Sequence, residues 1–355
     1  MILTKAHQQL FARRIDERFV SLQDLYDRCQ NDRRQSEDRW TTTLQAVPMP
    51  ADSAVSLLLD GGANYRPNDW SFGQLCKLAN VSKETVNRLS PNTAATVLQE
   101  TLPRLAKPMQ VLTSGAAIRS LHGPAYTRLW NVDVLNLVRE FATDFTPPQT
   151  AIGGGTGLYC GEQDMFVFLI DPTGWCEIEG EAFAPGMFLW NSEVGCRSVG
   201  VQTFWFQAVC QNHIVWDAVE VIDFSRKHTA NVHDCLREIR RHIETLVEKR
   251  DARRDGFARV MAKAFKAKLG DKADDVAKVL AKHGIPRDLA KKALATAERQ
   301  GRFTIFSLVD ALTRHAADIE NAGDRLAADE KAGALLALVD DEPMNRPRAL
   351  LAAAV

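Results

Sequence analysis

Apolar residues along this chain change their period twice, from helical to alternating and back to helical. Between residues 3 and 40 the charges alternate in sign, and Leu10, Phe11, Phe19, Leu22 and Leu25 fall at helical spacing, which predicts one or two exposed helices. Residues 46–70 carry Pro48, Pro50, Gly61, Gly62 and Pro67 around a short apolar run, so a linker holding at most one strand is expected there. Helical spacing returns at Phe72, Leu75, Leu78, Ala79, Val81, Val86 and Leu89, with Ser82 and Thr85 placed to start a second short helix. A further helix is expected over about 92–105, ending near Pro103.

From residue 109 the period shortens. The stretch 109–129 reads as a strand, a glycine turn and a second strand, followed by a helix in NVDVLNLVREF with Asn131 as its N-cap. The segment 144–157, with two prolines and three consecutive glycines, is expected to be a mobile loop. Strands are predicted at LYC, MFVFLID, around WCEIEGEAF, in SVGVQTFWFQAVC and in HIVWDAVEV. Beyond Phe224 the pattern is helical: one long helix over 231–268, interrupted at most at Gly256, a break at Gly284 and Pro286, and a last helix over about 303–322. The fold class expected is α+β, with N-terminal helices, a central mainly antiparallel β-sheet with packed helices and a helical C-terminal region. The corresponding division is an N-terminal helical segment 1–45, a core domain 55–230, helices over 231–340 and a loosely packed tail 341–355.

Composition narrows the function classes. With 44 Lys and Arg against 45 Asp and Glu in 355 residues, the chain does not bind nucleic acid through bulk charge. It has no apolar run of about 18 residues, and its start lacks a signal-peptide core, so a cytoplasmic protein without a membrane partner is expected. Seven cysteines without a CxxC fit reduced, buried thiols.

Charge is uneven, however. Residues 226–268 hold 13 Lys and Arg against six acids, an excess of seven in a chain whose net charge is −1. Such an excess serves a phosphate backbone, or it is a solvated helix face laced with Glu to Arg and Lys pairs. Trp190, Phe204, Trp205, Phe206 and Trp216 fall on predicted strands, with Phe204 and Phe206 on the face opposite Trp205. Exposed rings would stack bases, and buried ones are core.

Other constellations are weaker. The helix pair at 71–90 has helix-turn-helix spacing, but Pro91 truncates its second helix. GGGTG at 153–157 lacks the Gly-Lys-Ser/Thr ending of a phosphate loop and reads as a flexible segment. Cys210, His213, His228, His233 and Cys235 have spacings that could wrap zinc, yet no second CxxC or HxxxH supports one. Glu177, Glu179 and Glu181 alternate along one strand face near Asp171 and read as a solvent edge rather than a divalent-ion cluster. No Ser-His-Asp set is discernible. Neither a metal nor a cofactor is expected.

Two stretches, LTSGAAIRSLHGPAYTRLWNVDVLNLV and EGEAFAPGMFLWNSEVGCRSVGVQTFWFQAVCQNHIVWD with the following RKHT, resemble the phage and plasmid-like proteins grouped as a domain of unknown function, number 932. Tyr126, Asn131 and Asp133 match the family's Y-x-x-L-x-N-x-D. Gly186 with Asn191, Ser192, Glu193, Val194 and Gly195 matches its Asn-Ser-Glu-x-Gly signature, and Cys210, Asn212 and His228 match later landmarks. The resemblance covers roughly residues 55 to 250 and departs from the family at Gln211 and His213. It implies an accessory protein of a mobile genetic element and names no catalytic residue.

The expectation is therefore a non-enzymatic protein that binds single-stranded DNA in recombination or replication. Arg128, Arg197, Arg226, Lys227, Arg240 and Arg241 would lie on phosphates, and self-association is left open. The alternatives are a host-directed protein-binding factor and an enzyme using the NSEVG turn and His228. NSEVG itself is expected to be a turn between antiparallel strands, with Gly186 and Gly195 taking positive φ and Glu193 bonded to backbone or to a cation.

Overall fold

A computed structural model describes residues 15–52, 54–59, 62–147, 157–207, 213–215, 223–229, 232–299, 303–316, 328 and 331–339. Two β-sheets organise it. The first has six strands: β2 (Ser36–Thr42), β3 (Val47–Ala51), β4 (Ala54–Leu58), β5 (Asn64–Pro67), β6 (Pro108–Ser114) and β7 (Ala117–His122), in the order β2-β6-β7-β5-β4-β3. Among the described residues, β5 and β7 are the one pair that runs parallel. The second sheet joins β1 (Arg18–Phe19), β8 (Leu158–Cys160), β9 (Met165–Ile170), β11 (Glu181–Asn191), β12 (Val199–Gln207) and β13 (His213–Val215) in that order. On it, β10 (Cys176–Ile178) pairs with β11 and β14 (Asp223–Arg226) with β12.

Ten helices of the described residues accompany these sheets. They are α1 (Leu22–Gln35), α2 (Asp69–Leu78), α3 (Lys83–Val86), α4 (Pro91–Thr101), α5 (Asn131–Phe141), α6 (Val232–Glu248), α7 (Arg250–Ala264), α8 (Ala273–Lys282), α9 (Arg287–Arg299) and α10 (Ile305–Ala316). Ser21, Asn68, Ser82 and Ser90 cap α1 to α4 by accepting a backbone N–H bond three residues on. Helices α2 and α4 bury Leu75 and Leu98 against Leu57, Val111 and Ile118 of the six-stranded sheet.

The larger sheet is apolar on both faces, and the strict alternation of side chains along a strand sorts them. Val167, Leu169, Met187 and Leu189 face α1, α5 and α6, where Leu25, Leu135, Val138, Ile239 and Ile243 complete one core. Phe166, Phe168, Phe188, Trp190 and Phe204 occupy the other face with Tyr159. Trp205 points away from Phe204 and stacks on Phe257 of α7, with ring centroids 4.0 Å apart. That contact joins the sheet to a separate core built from α7 to α10.

Several expectations are corrected here. The segment 36–42 is a strand rather than helix, because pairing with β6 along its whole length outweighs the helical spacing before it. It therefore belongs to the sheet rather than to an N-terminal helical segment, and two sheets stand where one was expected. Residues 46–67 form three strands instead of a linker. Pro48 and Pro50 are tolerated because β3 is an edge strand, where a missing N–H costs no ladder bond. The long helix over 231–268 breaks at Lys249, not at Gly256, which lies buried inside α7. The residues 148–156 of the expected mobile loop, the tail 341–355, residues 3–14, Cys210, Asn212 and Trp216 lie outside the described residues.

Gly186 has a role other than positive φ. It sits mid-strand between Phe204 and Ile170, and a Cβ there would come within 2.3 Å of the Phe204 ring and 2.6 Å of the Leu169 carbonyl oxygen. Since the backbone cannot yield cheaply between two paired strands, Gly186→Ala is expected to destabilise by about 1–3 kcal/mol. Urea denaturation at neutral pH measures this.

Candidate functional site

The turn after β11 joins the two sheets. Asn191, the last residue of β11, donates from Nδ2 to the Leu129 carbonyl at 2.9 Å and to Asn131 Oδ1 at 2.8 Å. Asn131 is thus not an N-cap. Trp130 occupies that position without a side-chain bond, and the Asn131 N–H donates instead to Glu193 Oε1 at 2.9 Å. A carboxylate from another element satisfies the helix N-terminus, where negative charge is favoured. Arg119 on β7 meets Glu193 Oε2 at 3.0 Å, so Glu193 is bonded to both backbone and cation. Burial raises the Glu193 carboxyl pKa, against the opposing pull of Arg119 and the Asn131 N–H.

The backbone of the turn is held as firmly. Tyr126 donates its hydroxyl to the Glu193 carbonyl at 2.9 Å, Arg128 bonds the same oxygen, and Trp70 Nε1 donates to the Val194 carbonyl at 2.9 Å. Ser192 Oγ donates to the Gln163 carbonyl at 2.5 Å and accepts from the Cys196 N–H at 2.9 Å. Gly195 has φ +71°, and a Cβ on it would meet His122 Cε1 at 2.6 Å. Both its conformation and its contact require glycine.

A ring stack backs this turn. His122 lies on Tyr126 with centroids 3.6 Å apart, and His228 lies 5.6 Å from Tyr126 on a nearly parallel plane. Burial pushes both imidazoles down to about 4 and pushes the Tyr126 phenol up. His228 is buried.

The family residues Tyr126, Asn131, Asn191, Ser192, Glu193, Gly195 and His228 therefore converge on one network. Asp133 does not join them; it faces outward from α5 and pairs with Arg33 at 2.7 Å. Arg119, Trp70, His122 and Asp38 belong to the network without any periodic or motif signal in the sequence.

His122 and Gly195 also line a cleft of about 810 Å³ between α2 and the β6–β7 hairpin. Trp70, Lys77, Lys83 and Lys107 line it too, with no Asp or Glu among its lining residues. Lys83 pairs with Asp69 at 2.6 Å, whereas Lys77 and Lys107 have no acidic partner among the described residues. Leu78 and Leu105, 37% and 53% exposed, form an apolar part of its wall.

The cations expected on phosphates are placed differently. Arg128 is only 3% exposed and forms a two-pronged bond with Asp38, from Nε at 3.0 Å and Nη2 at 2.7 Å. Arg197 pairs with the buried Asp164. Both brace the turn, since their charges are consumed by neighbouring carboxylates. Arg240 pairs with Glu140 at 2.8 Å, while Lys227 and Arg241 are exposed and the Arg226 side chain lies outside the described residues.

Much of the basic excess over 226–268 is matched by acids outside that window. Arg250 meets Asp171 at 2.5 Å and Asp144 at 3.6 Å, Lys266 meets Glu179, and Lys268 meets Asp271. Trp190, Phe204 and Trp205 are fully buried and offer no face to a base. Helix α3 is a single turn, too short to enter a groove. Glu179, with φ +52°, sits in the turn between β10 and β11 rather than on a strand face. No group of three or more His, Cys, Asp or Glu among the described residues is arranged to hold a metal.

The family model with the description "Domain of unknown function (DUF932)" matches residues 120–323, more than half of the chain. The chain belongs to the DUF932 family. The match begins further along than the resemblance read from motifs and runs through α10, so the DUF932 region takes in the turn itself, Tyr126, Arg128, Asn131 and His228, and the C-terminal helices. Arg119 lies just outside it, and so do Trp70 and the lysines of the cleft. Comparison with curated proteins finds no match, and comparison with solved structures finds none.

Proposed function

We propose that this protein binds single-stranded nucleic acid, as a non-enzymatic accessory protein of a mobile genetic element, through the lysine-lined cleft rather than through its basic helices. The observation that carries the reading is a concave surface lined by Lys77 and Lys107, which have no acidic partner among the described residues, with no Asp or Glu among its lining residues and with Gly195 of the DUF932 turn in its wall. Around it, residues 64–110 hold six Lys and Arg against three acids. Lys77 and Lys107 would meet phosphates, and Trp70 with the exposed leucines supplies apolar surface for bases. The mobile-element context rests on the family resemblance alone. The alternative, a host-directed protein partner, draws on Trp40 and Leu44, which are 54% and 51% exposed.

The test is fluorescence anisotropy with a labelled single-stranded oligonucleotide over a salt series. Reversing Lys77 and Lys107 together to Glu is expected to weaken binding and to flatten the salt slope by about 1.4, at roughly 0.7 per phosphate contact. Reversing Arg240 and Arg241 should do less, since Arg240 is already paired with Glu140. No binding at low salt, or a cleft reversal without effect, overturns the proposal and moves the protein-partner reading ahead.

A further inference from the structure

Away from the cleft, α1 and the β8–β9 hairpin bring three sulfur atoms together. Cys29 Sγ lies 3.8 Å from Cys160 Sγ and 4.0 Å from Met165 Sδ. Cys160 and Met165 are directly opposed across the hairpin, so their side chains share a face. All three residues are buried, at 1%, 3% and 0% exposure.

A cation held in one plane by three sulfurs at bonds of about 2.3 Å sets those sulfurs roughly 4.0 Å apart. Both separations are near that value. A disulfide needs an S–S bond of about 2.05 Å, which would pull Cys29 and Cys160 together by nearly 2 Å through a packed core. Zinc prefers four ligands, and no His, Asp or Glu completes such a set among the described residues. Thiolate and thioether donors select soft cations, monovalent copper above all.

We propose that Cys29, Cys160 and Met165 form a binding site for one monovalent copper ion, which would fasten α1 to the larger sheet. The ion displaces the two thiol protons to solvent, and the thioether adds a neutral third donor. Asn131 Nδ2 donates to Cys160 Sγ at 3.7 Å and orients that ligand from outside. Asp32 and Glu193 act electrostatically on Cys29, and Arg28 interacts with both thiols.

The experiment titrates the full chain with Cu(I) under anaerobic conditions against a coloured Cu(I) chelator, with sulfur coordination read by X-ray absorption. One equivalent retained, three sulfur neighbours and a higher melting temperature are expected. Cys29→Ser should lower the affinity by more than the 10- to 100-fold typical of losing an outer-shell partner. Met165→Leu, a volume-conserving change that keeps the core, should lower it about tenfold and leave two sulfur neighbours. Cys176→Ser, remote from this cluster in the α7–α10 core, should change nothing. Failure to retain Cu(I), equal retention by Met165→Leu, loss with Cys176→Ser, or a Cys29–Cys160 disulfide forming in place of metal binding overturns the site.

Discussion

Glu193→Ala is expected to cost about 3–5 kcal/mol, the range for removing one partner of a buried ion pair. Glu193 is 2% exposed, and its two carboxylate oxygens satisfy the first N–H of α5 and the guanidinium of Arg119. Without it, Arg119 keeps a charge at 13% exposure and the Asn131 N–H loses its acceptor. The pair need not be net stabilising for its breakage to be costly, because desolvation already raises the Glu193 pKa. Glu193→Gln should lose less, since an amide oxygen can still accept from the helix. Pairing Glu193→Gln with Arg119→Met should recover part of the loss by removing the stranded charge. Urea denaturation at pH 7 measures all three, and a loss below about 1 kcal/mol for Glu193→Ala contradicts a buried network of this kind.

Acid should destabilise the fold well above the range in which ordinary carboxylates titrate. Burial holds the His122 and His228 imidazoles at about 4, against roughly 6.5 in the unfolded chain. Between those values the unfolded state binds more protons, so stability present above pH 6.5 is lost as pH falls towards 4. At pH 5 the loss is about 2 kcal/mol for each imidazole. Glu193 acts in the opposite sense, because its raised pKa lets the folded state take up that proton first. Unfolding curves at pH 7.5, 6 and 5 should therefore shift steeply, and His228→Leu should remove about half of the slope. An unchanged slope in that variant would sink the assignment.

What the sequence determined by itself is the part governed by local period and capping. The helices at 91–101, 131–141, 287–299 and 305–316 follow helical spacing, with Gly284 marking a break as expected. The opposition of Phe204 and Trp205 follows from side chains alternating along a strand, whatever the strand packs against. NSEVG as a turn was legible from its short polar side chains and Gly195.

Tertiary structure alone decided the rest. Strand β2 exists because β6 lies beside it, and the prolines of β3 are tolerated because β3 is the edge of its sheet among the described residues. Glu193, Arg119, Asn131 and Arg128 are up to 74 residues apart in the chain, a separation on which no period or spacing reports. A count of cations along the sequence does not distinguish a paired charge from an unpaired one. Arg128 and Arg197 are consumed by Asp38 and Asp164, while Lys77 and Lys107, outside the basic segment, line an acid-free cleft. Local sequence sets which backbone conformations are favoured, whereas electrostatic roles depend on which distant carboxylate the fold brings within bonding distance.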